Sequence, residues 1–492
     1  MNIVFATASQ LAQMIRNKEI SAREVLEAYL EQIDKHNRKI NAIVTLDVDR
    51  AKKTALEADE ALARGENWGR LHGVPITVKD IIETAGLLTT AGYPPLKDYV
   101  PSQDATTVAR LRAAGAIIFA KTNAAELGSD CQTNNPVFGQ TNNPWDLNLT
   151  VGGSSGGSAS AIAAGFSPLD LGSDVAGSIR GPAHCCGVYG FMPTDRRVPT
   201  TGHIPALPGN PQYIRHVLRI GPFARSVEDL QLGFALIAGA DARQPEIPPV
   251  PLEQPTGKKL ADCRIAWTVG FDFLPVSEDT RFCIQSLINR LTDAGCNLEE
   301  CSPTNFDWEE ALANYGAWSF LELFASTPSA KVLFGGIWIA IKGEFLARMQ
   351  TTFKSGTPLA TKSRLILPPS LANYNAVLTE RDRHIAQMDG FMEQWDAWIC
   401  PVAITLAFPH CEFGQPIEVD GVKFPYLIAC GAYTMPLSLT GHPVVVLPIG
   451  QNQAGLPIGV QVVGKRWKDM ELLAIATEIA TVLGDLPHPP DY

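Results

Sequence analysis

Near the amino terminus, apolar residues recur every three to four positions. In SAREVLEAYLEQIDKHN, Val25, Leu26, Tyr29, Leu30 and Ile33 fall on one helical face, and Ser21 and Glu24 stand in capping-box spacing before them. A second helical pattern covers about 47–64. The period then changes. GVPITVKD (73–80) is a β-rich run bounded by Gly and Pro. TTVARLRAAGAIIFAKTN (106–123) reads as a helix, a glycine stop and a buried strand over Ala116–Ala120. Further along, ASAIAAGF predicts a helix of small residues and SPLDLGSD a short strand. CRIAWTV predicts a strand and DTRFCIQSLINRLTDAG a helix. AWICPV (397–402), PVVVLPI (443–449) and LPIGVQVVG (456–464) predict strands, and KDMELLAIATEIATVLG (468–484) a closing helix. Such alternation implies an α/β layer structure. The Pro-rich ARQPEIPPVPLEQPTGKK (242–259) reads as an exposed connection. The stretch 306–346 is rich in aromatics, among them Trp308, Trp318 and Trp338, and fits either a pocket wall or ordinary core.

Composition narrows the function classes. The chain has 492 residues, 46% hydrophobic and 18% charged, which is enough to bury a large core. Its formal net charge is -11 and no Lys/Arg-rich run occurs, so a nucleic acid is not expected as a direct partner. The opening MNIVFATASQLAQMIRNKEIS lacks a basic stretch followed by a long apolar one, so no signal peptide is expected. FGGIWIAIK (334–342) is too short to span a bilayer. The ten cysteines form no CxxC or zinc pattern; they are expected mostly as buried thiols in a reducing cytoplasm, with no metal site.

VGGSSGGSAS (151–160) carries four Gly and four Ser in ten positions. It is not a P-loop, because no Lys follows the glycines, and the GxGxxG spacing of a dinucleotide site is absent. GSSGG (153–157) fits the GxSxG nucleophile elbow, but loop-like NNPWDLNLT precedes it where a strand is required. None of the downstream histidines (His203, His216, His384, His410, His442, His488) has distinctive surroundings. A plain linker is also disfavoured, since compact apolar segments flank the stretch on both sides.

Read to residue 195, GGSSGGSASAIAAGFSPLDLGSDVAGSIRGPAHCCGVYGFMPTD resembles the core of the amidase signature family. GVPITVKD, AKTNAAELG and GQTNNPWD extend the resemblance upstream, and TGHPVVVLPIG and GLPIGVQVVG carry it weakly to the C-terminus. The resemblance implies one domain over 1–492, built on a large mixed β-sheet covered on both faces by helices. Within it fall a helical region (1–64), a signature core (65–240), a peripheral or pocket section (about 250–400) and closing strands and helix (400–485). It also implies a Ser–Ser–Lys site without cofactor or metal. Ser178 would be the nucleophile, Ser154 the bridging Ser after a cis peptide, and Lys79 the base. The backbone N–H groups of Val175, Ala176, Gly177 and Ser178 would form the oxyanion hole. Ala176 departs from the family's usual Gly-Gly before the nucleophile, which is tolerable if its φ is negative. Met192 replaces a common Lys.

The chemistry needs these residue types. An amide is a poor electrophile with a poor leaving group, so the site needs a nucleophile, a proton carrier and oxyanion donors. Lys is a base only when neutral; bringing its pKa from about 10.4 to 7–8 costs about 3–5 kcal/mol. A Ser hydroxyl both accepts and donates, so it can relay a proton. Asp174 and Arg180 are read as ordering the nucleophile loop, Ser155 as support, and Cys185, Cys186 and His184 as structural. Ser129 and Asp130, after the KTN motif, are the candidate substrate contacts; an inward Asp130 would favour a cationic amine. The expected activity is hydrolysis of a small-molecule carboxamide through an acyl-enzyme. The alternative is the glutaminase component of a tRNA-dependent amidotransferase. Against that alternative, TKSRLILPPSLANYNAVLTERDRHI (361–385) lacks that component's KRRI-like and YYDAYY-like runs. Analogy with the family allows a homodimer.

Overall fold

A computed structural model describes residues 2–210, 214–325, 369–484 and 487–492. Among them, eleven strands join one mixed sheet. These are β1 (Ile43–Leu46), β2 (Pro75–Lys79), β3 (Ile117–Thr122), β4 (Leu169–Asp174), β5 (Tyr189–Met192), β6 (Arg219–Ala224), β7 (Arg264–Trp267), β8 (Asn297–Glu300) and β9 (Ala397–Pro401), then, past a separate hairpin of β10 (Ile417–Val419) and β11 (Val422–Phe424), β12 (Val444–Gln451) and β13 (Pro457–Val463). The order across the sheet is β1-β3-β2-β4-β6-β5-β12-β13-β9-β7-β8.

Both faces of the sheet are covered, which is why strands such as β9 (AWICP) and the first six residues of β12 (VVVLPI) are apolar and buried. In β12, Val445, Leu447 and Ile449 pack into the largest core cluster, with Leu230, Leu287 and Ile475 from helices Val227–Ile237, Glu278–Asp293 and Asp469–Leu483. Val446, on the opposite face, packs with Ile162 and Cys186 of helices Gly156–Ala163 and Arg180–Cys186. Every residue of Gly156–Ala163 is buried, so its run of Gly, Ala and Ser lets backbone lie close to backbone. The capping box at Ser21 forms in both directions, and the helix Ala22–Ile40 ends on Asn41 in the left-handed region.

The sequence pattern missed β1, β5, β6, β8 and the β10–β11 hairpin. β1 and β8 are four-residue strands carrying Thr, Asn and Glu, and β6 (RIGPFA) contains both Gly and Pro, which dilute a strand signal. It also missed the long helix Leu371–Met392, whose buried positions include Arg381 and His384. The Pro-rich connection carries no regular element over 248–259. Trp308 and Trp318 are core residues, whereas Trp338 lies outside the described residues.

One topological detail positions the site. β2 runs parallel to both of its neighbours, with Lys79 opposite Thr122 of β3 and Val78 opposite Leu171 of β4. The carboxyl ends of three strands therefore emerge at one edge of the sheet, the place where open α/β sheets bind ligands.

Candidate active site

Lys79 is the last residue of β2 and is fully buried. Its Nζ donates to Ser154 Oγ at 2.8 Å and to Ser173 Oγ at 3.1 Å. Burial pulls the ammonium down to about 7, and the carboxylates of Asp174 and Asp170 only partly oppose it. Two hydroxyls and no carboxylate are hydrogen-bonded to Nζ, so the group is poised to be neutral.

Ser154 follows a cis peptide after Gly153. The loop is held from behind: a Cβ on Gly153 would lie 2.6 Å from the Asp130 carbonyl oxygen and 2.7 Å from the Gln132 nitrogen. Only glycine fits there. The Ala125 N–H donates to the Ser154 carbonyl at 3.1 Å. Thr133 Oγ1 donates to the Gly152 carbonyl and accepts from the Gly156 amide, closing the loop's base. Ser155 supports it, donating through Oγ to the Ser173 carbonyl at 3.2 Å and through its amide to the Ser178 carbonyl at 3.3 Å.

Ser178 sits on the turn between β4 and the helix Arg180–Cys186 and is 8% exposed. Its hydroxyl makes no hydrogen bond among the described residues. The turn is ordered by a fully buried ion pair. Asp174 accepts from the amides of Gly177 (2.8 Å) and Ile179 (3.0 Å) and from Arg180 Nε (3.0 Å) and Nη2 (2.9 Å). Burial alone would raise the Asp174 carboxyl; the Arg180 charge and these donors hold it below the ordinary carboxylate range. Arg180 also donates to the Thr434 carbonyl, Gln461 Oε1 and Ser438 Oγ, so its donors are satisfied within the protein. Asp174 and Arg180 thus order the loop.

Of the four amides expected in an oxyanion hole, the Gly177 N–H donates to Asp174 Oδ1 at 2.8 Å, because that carboxylate folds back over the turn. The Ala176 carbonyl accepts from Thr434 Oγ1 at 2.5 Å, and the Val175 carbonyl from the Tyr315 hydroxyl at 3.4 Å. Ala176 is outside the left-handed region, so its methyl is compatible with the turn. Gly177 is not replaceable: its φ is +122° and a Cβ would meet Thr434 Oγ1 at 2.5 Å.

Ser129 and Asp130 lie behind the Ser154 loop, and each has protein partners. Ser129 Oγ donates to the Glu126 carbonyl at 2.7 Å, while Asp130 Oδ1 accepts from the Tyr426 hydroxyl at 2.5 Å and the Cys131 amide at 2.6 Å. Burial raises the Asp130 carboxyl. Cys185 and Cys186 are buried thiols, the first pushed up to about 12 by burial. Such thiols are inert. His184 is locked between the Gly459 amide and the Thr405 carbonyl.

Ser173, Thr434, Tyr315 and Tyr426 carry no distinguishing mark in the pattern of the chain except the first. Ser173 stands in the GSD block, and its position just before Asp174 on β4 was the available signal. The other three come from distant elements and carried none.

A family model described as Amidase matches residues 24–473. The chain belongs to the amidase signature family. Among its relatives are the glutamyl-tRNA(Gln) amidotransferase A subunit of Heliobacterium modesticaldum, 32% identical over all of this chain and 99% of that one, and its counterpart in a Cyanothece species, 34% identical over 93% of this chain and 94% of that one. Among solved structures, an amidase is 29% identical with a TM-score of 0.77, over 97% of this chain and all of the other. A bacterial aryl acylamidase, 24% identical over 97% of this chain and 96% of that one, shares the fold at a TM-score of 0.80. Like them, this amidase-family enzyme is built on a large mixed sheet with helices on both faces. Among its described residues, no helix is long and apolar enough to cross a membrane.

Proposed function

We propose that this enzyme hydrolyses a carboxamide through an acyl-enzyme on Ser178, with Lys79 as base and Ser154 as proton relay. The observation that carries this reading is the 2.8 Å contact from a fully buried, depressed Lys79 to Ser154 Oγ, on the loop tied to Ser178 by Ser155. Neutral Lys79 takes the Ser154 proton as Ser154 takes that of Ser178. Ser178 Oγ then attacks the carbonyl carbon. The resulting oxyanion is met by the backbone amides of Val175, Ala176 and Ser178. The proton returns through Ser154 to the departing nitrogen, and ammonia or an amine leaves. Water repeats the sequence on the acyl-enzyme and releases the acid.

A second reading concerns where the ammonia goes. The amidotransferase relatives favour glutamine as the amide and a partner protein as the route for its ammonia. It uses the same three residues. Of the segment 361–385 that departs from the amidotransferase pattern, 361–368 lies outside the described residues. Ammonia release by the isolated chain, from aliphatic and aryl amides and from glutamine with Ser178→Ala as control, separates the two. Turnover of simple amides supports the self-sufficient enzyme. Turnover of glutamine alone, stimulated by the other amidotransferase components, supports the second. Turnover that survives in Ser178→Ala overturns both.

A further inference from the structure

The turn that follows the KTN motif lies against the Ser154 side chain. A Cβ on Gly128 would be 3.5 Å from Ser154 Oγ, and the Asp130 carbonyl backs Gly153. Most of the surroundings are sealed: residues 123–125, 152–155 and 172–174 are buried throughout. Residues 128–131 are only half-buried, and so are Val175 and Ala176 on the nucleophile turn. Cys131, Val175 and Ala176 border one apolar cluster. Solvent therefore reaches both the segment beside Ser154 and the turn that carries Ser178.

Asp130 is the one charged residue among these six half-buried positions. Its Oδ1 is fixed by the Tyr426 hydroxyl at 2.5 Å and by the amides of Cys131 at 2.6 Å and Gln132 at 3.4 Å. Its Oδ2 makes no hydrogen bond among the described residues and is not sealed from solvent. No lysine, arginine or histidine among them offsets its charge; only the hydroxyl and the two amides oppose the rise that burial causes. Other buried aspartates are matched by arginines, Asp174 by Arg180 and Asp195 by Arg219 and Arg381. A carboxylate held half out of water with one oxygen free gains most from a cation. A metal ion would need several oxygen ligands, and no three metal-binding side chains cluster among the described residues. An ammonium needs only the one acceptor, and a neutral amide gains no charge-assisted bond there.

We infer that Asp130 is a specificity determinant that selects amides carrying a protonated amine, its Oδ2 accepting from the ammonium while the scissile carbonyl lies at Ser178. This rests on the reading of Ser178 as nucleophile. Tyr426 is then a positioning residue, since its hydroxyl holds Oδ1 and so leaves Oδ2 as the open acceptor.

Matched pairs in which a methyl group replaces the ammonium test it: leucinamide with 2,4-dimethylpentanamide, 5-aminopentanamide with hexanamide, and N-(2-aminoethyl)acetamide with N-propylacetamide. Affinity is read by calorimetry on full-length Ser178→Ala, and kcat/KM on the parent enzyme, at about pH 7 where the amines are protonated. In at least one pair the ammonium member should be preferred by about tenfold or more. Asp130→Asn keeps an acceptor for Tyr426 and should bring that ratio close to one. Asp130→Glu keeps the charge and should retain part of the preference, which also guards against one variant failing to fold; circular dichroism checks both. No pair favouring its ammonium member, or a ratio that Asp130→Asn leaves unchanged, overturns the inference. Turnover that survives in Ser178→Ala strikes the nucleophile reading instead, and the Asp130→Asn ratio still decides this one.

Discussion

Acidifying the enzyme should silence it through a single proton on Lys79. With its pKa pulled to about 7, the amine is about half neutral at pH 7 and about 1% neutral at pH 5. A lysine left at its ordinary 10.5 would be neutral at only about 0.03% at pH 7, so burial enriches the usable base on the order of a thousandfold. The assay is kcat/KM for ammonia release across about pH 5–10 on a chemically stable amide. A limb of slope one, with its midpoint near 7 and a plateau on the alkaline side, is the expected result. The same shift has a stability counterpart. Between about pH 7 and 10.5 the unfolded chain carries a proton on Lys79 that the folded chain lacks, so stability rises with pH across that window. Below it both states are protonated and the full penalty of burying the charge is present, about 5 kcal/mol from the shift. Lys79→Met removes that penalty. It should unfold at a higher temperature than the parent at about pH 6, by a few degrees, and lose this advantage near pH 10.5. A flat pH–rate profile, or a midpoint above about pH 9, would refute the assignment of Lys79 as a neutral base.

Ser178→Ala should lower turnover by several orders of magnitude, and Ser154→Ala by less if it only relays; single-turnover kinetics would detect a reversed order. Arg180→Met should destabilise the protein by about 3–5 kcal/mol, because it strands the buried Asp174 carboxylate, and denaturant melts measure this. Gly153→Ala should abolish activity, since its Cβ has backbone at 2.6 Å; a fully active variant would mean that the loop can move away. Thr434→Val frees the Ala176 carbonyl while keeping side-chain shape, so kcat should fall about tenfold with little change in KM.

How much of this was readable from the chain depended on distance along it. The residues from 73 to 195 carry the lysine strand, the Gly/Ser loop and the nucleophile turn as contiguous blocks. The alternation of elements places the first on β2 and brackets the others with β4 and the helix Gly156–Ala163, whereas the roles of the lysine, the loop and the turn came from the family resemblance. What stayed hidden was long-range. Tyr426 meets Asp130 across 296 positions and Thr434 meets Ala176 across 258. Nothing in a local window distinguishes that Thr from any other. The engagement of Gly177 by Asp174 was local but depended on a backbone turn that residue type does not specify. Strands with Gly, Pro or charge, such as β6 and β8, were missed because pairing with neighbours overrides weak intrinsic preference.

The attachment of Arg180 to the far end of the chain has a consequence for how the enzyme comes into being. Lys79, Ser154 and Ser178 all leave the ribosome within the first 180 residues, while Thr434, Ser438 and Gln461, which grip Arg180, follow more than 250 residues later. β12, which separates β5 from β13 in the sheet, is made at the same late stage. A nascent chain thus holds the three side chains proposed to react well before it holds the scaffold that orders the Ser178 turn. Hydrolysis should begin only after residues 434–461 have been made, and products terminated before them should be inert rather than loosely reactive.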